Sequence, residues 1–280
     1  MVTRRVAGRR FLLRPGALPN QIFGYLVART AQLHHLKVHV FCFMSNHYHL
    51  VVTDPDARLP RAIQYLDGLL ARAINALYGL RDHFWEGDSF NATLLDSPEV
   101  VVDRCGYVLA NPVEAGLVDR ARKWPGLWSS PTEVGEVLEF DRPSHFFRPF
   151  GYMPRSVQLK LEVPAGFEST AAFRAQLEAS LASKEALARA KHQRFLGAAR
   201  VLKQRVLERP RTPEPRRRLR PRFAARDLGR RIELARRLKA FLAGYRDALL
   251  AWREGKREVV FPEGTYLMRV AHLAICAGAG

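Results

Sequence analysis

The chain predicts an α+β fold, with an antiparallel sheet whose helices pack on one face and a basic, mainly helical C-terminal region after it. Three observations lead there. Strand-like runs at Val38-His39-Val40-Phe41-Cys42-Phe43 and Leu50-Val51-Val52 flank a Met44-Ser45-Asn46 break that suits a hairpin turn. Apolar residues recur at helical spacing before and after that hairpin. The charge is divided unequally between the two halves of the chain.

The elements follow in order. Arg10-Phe11-Leu12-Leu13-Arg14 reads as a short strand closed by Pro15-Gly16. Asn20 can cap a helix through Ile22, Tyr25, Leu26, Arg29 and Leu33. After the hairpin, Leu59-Pro60 opens a second helix whose apolar face is Ile63, Leu66, Leu69, Leu70, Ala73, Ile74 and Leu77, and Gly79 ends it. Residues 84–95 suggest one or two further strands. Ser97-Pro98-Glu99 starts a third helix, with Ser97 at the cap and Pro98 in the first turn.

The order β-α-β-β-α-β-α defines a first domain, residues 1–150, with Pro/Gly-rich sequence over 124–155 as its boundary. The extension, residues 151–280, reads as helix over 168–206 and then a Pro-rich basic linker, Arg209 to Pro221, that suits neither helix nor central strand. An amphipathic helix at about 228–254 follows, with Leu228, Ile232, Ala235, Leu238, Leu242, Tyr245, Leu249 and Trp252 on one face.

Composition narrows the function classes. The chain has 280 residues, 48% of them hydrophobic, which suits a globular protein and not one disordered throughout. Its three cysteines are odd in number and far apart, which argues against a disulfide framework and for a reducing compartment. No run of 18 apolar residues suggests a membrane span, and Met1-Val2-Thr3-Arg4-Arg5 lacks the apolar core of a signal peptide. A bacterial-type cytoplasm is the expected location.

Net charge is +18, and residues 151–280 hold 28 Lys/Arg against 12 Asp/Glu. Within them, 189–239 carries 19 basic and 4 acidic residues. A surplus this concentrated points to a polyanion, nucleic acid before membrane, because no stretch carries the apolar face of a membrane-lying helix. The alternative is a merely soluble basic surface.

The chemistry-bearing signal is His47-x-His49. Side chains i and i+2 of a strand share a face, so two imidazoles can hold one divalent ion if a third ligand arrives. The alternative is one packed and one solvated histidine. Tyr107 and Asn111, at i and i+4 of the third helix, are neighbours just before Pro112. An amide oxygen can be the third ligand of a hard ion. A tyrosine beside it can be a nucleophile in phosphoryl transfer, although a helix tyrosine is more commonly a packing residue.

The run Phe-Met-Ser-Asn-His-Tyr-His-Leu-Val-Val, then Tyr-Val-Leu-Ala-Asn-Pro-Val-Glu-Ala-Gly-Leu-Val about sixty residues later, then Trp-Pro-x-x-Trp-Ser-Ser, resembles the single-tyrosine HUH transposases. The closest branch is the REP-associated tyrosine transposases, relatives of IS200-type enzymes. The resemblance spans about residues 9–131 and implies a ferredoxin-like HUH core. It implies His47 and His49 as metal ligands, Asn111 completing a Mg²⁺ or Mn²⁺ site, and Tyr107 forming a 5′-phosphotyrosine link to single-stranded DNA. The substrate class it implies is a hairpin or palindromic repeat, bound by a monomer or homodimer associated with the nucleoid.

By the same resemblance Tyr48 takes the hydrophobic "U" position, facing away from the metal. Asn46 is expected to shape the turn. The basic extension lies outside the shared core and inherits no role from it. Competing readings are a replication-initiator or relaxase-type nickase, and a catalytically retired descendant kept for DNA or RNA binding.

Lesser candidates remain. His34, His35 and His39 precede the pair and read as structural. Glu86 and Asp88 could lend a carboxylate, Cys105 has no activating partner, and Trp124, Trp128 and Tyr152 could stack on bases or pack.

Overall fold

The computed structural model describes residues 1–87, 90–148, 150–212 and 222–278. It divides the chain into two compact units, Met1–Arg222 and Phe223–Gly280. The division falls at 222/223 and not at the expected 150, because segments beyond 150 complete the first unit's core.

That core is built on four antiparallel strands: β1 (Val2–Arg5), β2 (Lys37–Phe43), β3 (His47–Thr53) and β4 (Asn91–Ala92), in the order β2-β3-β1-β4. The first strand is Val2–Arg5, not Arg10–Arg14. Phe11 to Arg14 instead form a turn that buries Leu12 and Leu13 completely. Apolar character marked the burial of that segment correctly but not its conformation.

Helix α1 (Ala17–His34) begins after Gly16, so Asn20 lies inside it and donates its amide to the Pro125 carbonyl instead of capping. Pro19 is tolerated because N–H groups of the first turn have no intrahelical acceptor. Helix α2 (Leu59–Tyr78) starts with Pro60 in its first turn and stops at Gly79 in the left-handed region, φ 65°, as its sequence predicts. A short β5 (Leu94–Leu95) precedes helix α3 (Pro98–Glu114), whose cap Ser97 accepts from the Val100 amide.

The helices divide between both faces of the sheet, which corrects the one-face expectation. Phe41, Phe43, Tyr48 and Leu50 point into a core closed by α1 and α2. Val40, Cys42, Met44 and Val51 point the other way, into a second core with Val102, Cys105, Leu109 and Val113 of α3. Both faces of β2 are apolar, the pattern of a strand buried on two sides. Helix α4 (Thr170–Lys191) closes the second core. Gly106 permits the close approach, since a Cβ there would stand 2.2 Å from Ser180 Oγ, and Lys184 pairs with Asp103 at 2.6 Å.

A hairpin of β6 (Val137–Asp141) and β7 (Ser156–Lys160) covers the outer side of α1. A Cβ on Gly24 would meet the Phe140 ring at 2.2 Å, so the glycine lets the hairpin sit flush. Its strands are fourteen residues apart, so no short turn motif announced it. The helical reading of 168–206 resolves into α4 and α5 (Ala198–Leu202), separated by a break at 192–197. Most of the Pro-rich linker, 213–221, lies outside the described residues.

The second unit holds β8 (Phe223–Ala224), α6 (Leu228–Arg253) and α7 (Leu267–His272), with a small core of Ala248, Phe261, Met268 and Ala274. Only part of the apolar face expected on α6 is covered. Tyr245, Leu249 and Trp252 pack on that core, whereas Leu228, Ile232 and Leu242 are exposed.

Beneath β3 lies a buried polar cluster. The Tyr48 hydroxyl donates to Asp67 Oδ1 at 2.6 Å, Arg4 Nε stands 3.1 Å from Asp67 Oδ2, and the Trp85 indole donates to the Asp67 carbonyl at 2.9 Å. Burial pushes the Asp67 carboxyl up to about 6, against the lowering by Tyr48 and Arg4. Tyr48→Phe is expected to cost about 1–3 kcal/mol in chemical denaturation by leaving a buried acceptor underused. A carboxyl raised in the folded state binds its proton more tightly there. Its contribution to stability is therefore complete below the unfolded value of 3.8 and lost as pH rises through 6. Asp67→Asn should flatten the wild-type decline in unfolding free energy over that window.

Candidate metal and tyrosine site

Strand β3 presents His47, His49 and Val51 to the α3 side and Tyr48 and Leu50 to the α1/α2 side, by the alternation of an extended chain. Helix α3 crosses the first set. Its Asn111 carboxamide reaches both rings: Oδ1 stands 3.3 Å from His47 Nε2, and Nδ2 stands 3.3 Å from His49 Nε2. The two imidazoles meet edge to face with centroids 4.9 Å apart. One turn earlier on α3, the Tyr107 ring lies 5.7 Å from that of His49. The structure thus brings His47, His49, Asn111 and Tyr107 together from two elements.

Two residues that sequence reasoning did not assign to the site orient the rings. Asn46 Oδ1 accepts from His47 Nδ1 at 2.8 Å, while the Asn46 amide nitrogen donates to the Arg9 carbonyl. Thr3 Oγ1 bonds His49 Nδ1 at 2.8 Å, because the antiparallel register sets Thr3 directly opposite His49. Asn46 therefore holds a ring as well as the turn. Thr3 carried no local signal, since it arrives through strand pairing.

Electrostatics keep both rings neutral. Burial, helped by Arg5, lowers His47 to about 4, and burial together with His47 and Arg5 holds His49 well below the ordinary histidine range. A neutral His47 whose Nδ1 proton goes to Asn46 has only a lone pair on Nε2. That lone pair faces the Asn111 carbonyl oxygen, so two acceptors oppose each other with no proton between them.

A cation among His47 Nε2, His49 Nε2 and Asn111 Oδ1 would resolve this clash. Adjacent ligands of an octahedral Mg²⁺ stand about 3 Å apart, close to the 3.3 Å between His47 Nε2 and Asn111 Oδ1. Among the described residues no group of three or more His, Cys, Asp or Glu is placed to hold a metal ion, so the third protein donor would be an amide.

The remaining candidates fall outside this cluster. His39 is buried between the Glu162 carbonyl and the Thr53 hydroxyl, His35 pairs with Asp56, and His34 packs edge-on against Tyr65. Glu86 offers its backbone carbonyl to Arg4, and Asp88 lies outside the described residues. Cys105 is buried, and burial pushes its thiol up to about 12. The Trp124 indole donates to the Phe43 carbonyl and that of Trp128 to the Leu109 carbonyl, so both tie loops to the core, while Tyr152 is fully exposed. No helix among the described residues is long and apolar enough to cross a membrane.

One arrangement satisfies the cluster without a cation. If His49 carries its proton on Nε2, with Thr3 donating to Nδ1, a rotated Asn111 amide can serve both rings. Nitrogen NMR of the metal-free protein at neutral pH separates the two states. The expected result is an Nδ1–H tautomer at both histidines, whereas an Nε2–H on His49 identifies the closed network. No family model, curated protein or solved structure matches the chain.

Proposed function

We propose that the protein is a DNA transposase of the single-tyrosine HUH type, a metal-dependent endonuclease and strand transferase on single-stranded hairpin or palindromic DNA. The observation that carries this reading is the convergence of one amide and two neutral imidazoles beside a helix tyrosine. The strand order β2-β3-β1-β4 with helices between strands agrees with a ferredoxin-like HUH core.

His47, His49 and Asn111 would hold Mg²⁺ or Mn²⁺, which supplies charge neutralisation at the scissile phosphate when bound. Asn46 and Thr3 hold the two rings with their Nε2 atoms turned inward. Tyr107 is half-buried, and among the described residues its hydroxyl has no hydrogen-bond partner, so no internal bond must break before it attacks. Arg104 places its guanidinium carbon 6.0 Å from the centre of the Tyr107 ring, adding positive charge where a phosphate would approach.

In the reaction, the tyrosine oxygen bonds to phosphorus as the P–O3′ bond breaks. The tyrosine loses its proton and the departing 3′ oxygen gains one, so the proton count is unchanged. Attack by another 3′-hydroxyl reverses the step and joins the strands.

A replication-initiator or relaxase-type nickase would share this chemistry. A retired descendant that only binds DNA or RNA would instead fit the closed hydrogen-bond network, in which His49 carries its proton on Nε2.

The test uses the full chain with a hairpin oligonucleotide and Mn²⁺. Wild type should form a covalent protein–DNA adduct that survives denaturation and disappears with chelator, and Tyr107→Phe should form none. Undiminished adduct in that variant overturns the assignment. Asn46→Ala and Thr3→Val leave all three donors in place, yet each should weaken Mn²⁺ affinity about 10–100-fold in titration calorimetry by releasing a ring.

A further inference from the structure

The first unit contains a cleft of about 760 Å³ between the Gly8–Arg9 turn, the 83–87 segment and the chain at Arg209–Thr212. Its lining carries three arginines, Arg9, Arg209 and Arg211, against one carboxylate, Glu86. Arg9 is spent on the chain itself, donating to the carbonyl and hydroxyl oxygens of Thr212 at 2.8 and 3.0 Å. Arg209 and Arg211 are exposed, and among the described residues neither has an ion-pair or hydrogen-bond partner. The cleft therefore offers two solvent-facing guanidinium groups fixed on a tethered segment.

The tether is specific. Gln204 accepts from the Ser45 hydroxyl through its side chain and from Arg14 through its carbonyl, and the Phe11 amide donates to the Glu208 carbonyl. These bonds lay 204–212 along the N-terminal turn of residues 9–14 and against Ser45 of the hairpin turn that precedes the histidine strand. One link joins the cleft to the candidate site: Asn46, which orients His47, donates its amide to the carbonyl of cleft-lining Arg9.

We infer that this cleft grips the sugar–phosphate backbone of a single nucleic-acid strand entering or leaving the histidine–tyrosine site, with Arg209 and Arg211 as its phosphate contacts. The inference rests on single-stranded DNA being the substrate. Guanidinium groups suit phosphate oxygens as paired donors. Three chain segments wall the cleft, and such a recess suits one extended strand better than a duplex, whose phosphates lie on a convex surface. The grip is on the backbone: Trp85 in the lining is buried with its N–H committed to Asp67, which leaves the exposed His83 as the one lining ring, among the described residues, that can meet a base. The inference also assigns work to the basic extension. The sequence runs on from Thr212 to Arg216, Arg217, Arg218 and Arg220, so positive charge continues along the chain.

The test measures affinity of the full chain for a fluorescent single-stranded oligonucleotide across a salt series, comparing wild type with Arg209→Glu/Arg211→Glu. Each phosphate contact on a single strand contributes about 0.7 to the slope of log affinity against log salt. Loss of two contacts should flatten the slope by about 1.4 and weaken binding about 10-fold at 0.1 M salt. Arg209→Gln/Arg211→Gln should fall between, with thermal unfolding of both variants matching wild type.

An unchanged slope in the Glu variant overturns the cleft, and adduct formation by wild type then shows that the transposase reading survives without it. A flattened slope with no adduct from wild type leaves the cleft standing and rejects the catalytic reading. Equal affinity for a duplex of the same sequence, with the same loss of slope, overturns the single-strand assignment.

Discussion

The alternation of side chains along β3 is the constraint on which the rest of the structure depends. One strand must satisfy two environments within three residues, with His47 and His49 on the side of α3 and Tyr48 on the side of α1 and α2. A slip of one residue would drive both imidazoles into the aromatic core and put the tyrosine where Asn111 now stands. The register is therefore held from both faces. Tyr48 is fully buried, stacked on Phe43, and bonded to Asp67, while Thr3 and Asn46 hold the histidines on the opposite side. The polar cluster under the strand and the candidate site above it are two halves of one device for fixing register.

Covering the second face has an electrostatic consequence. Helix α3 lies over the pair, with α4 clamped on it through Gly106 and the Lys184–Asp103 pair, and the buried His49 and half-buried His47 are held in neutral form. Neutrality keeps the Nε2 lone pairs available, and it creates the acceptor–acceptor opposition with Asn111. The packing that stabilises the domain thus also sets the protonation state on which any coordination depends.

Legibility followed the range of the signals. The hairpin, α2 with its Pro and Gly boundaries, and α3 with its Ser-Pro start were readable because each announces itself within a few residues. His47, His49, Tyr107 and Asn111 were readable because two local spacings, i+2 on a strand and i+4 on a helix, each fix a shared face. What escaped depends on distant pairing. The true first strand is short and carries two arginines, one of them buried under Trp85 and Asp67, so composition argued against it. The 137–160 hairpin spans a long irregular connection. Its membership of the core shows only in Gly24, whose lack of a side chain makes sense once Phe140 is seen above it.

The change in charge along the chain and the division into compact units fall at different residues. A shift in charge and Pro/Gly content near 150 marks a change of surface, not of core. Val157, Leu159 and Leu161 bury themselves against α1, and Phe173 and Leu177 against α3, so the hydrophobic interior runs on while the exterior turns basic. Net charge is decided by exposed side chains and domain limits by buried ones, and the two need not change at the same residue. The basic segment at 203–212 is accordingly not an appendage but a tethered part of the first unit, held by Gln204, Glu208 and Thr212 against the N-terminal turn. Because that stretch is bound to its own domain through backbone and amide contacts, Arg209 and Arg211 remain available to an outside anion, which a segment held at those positions by ion pairs would not allow.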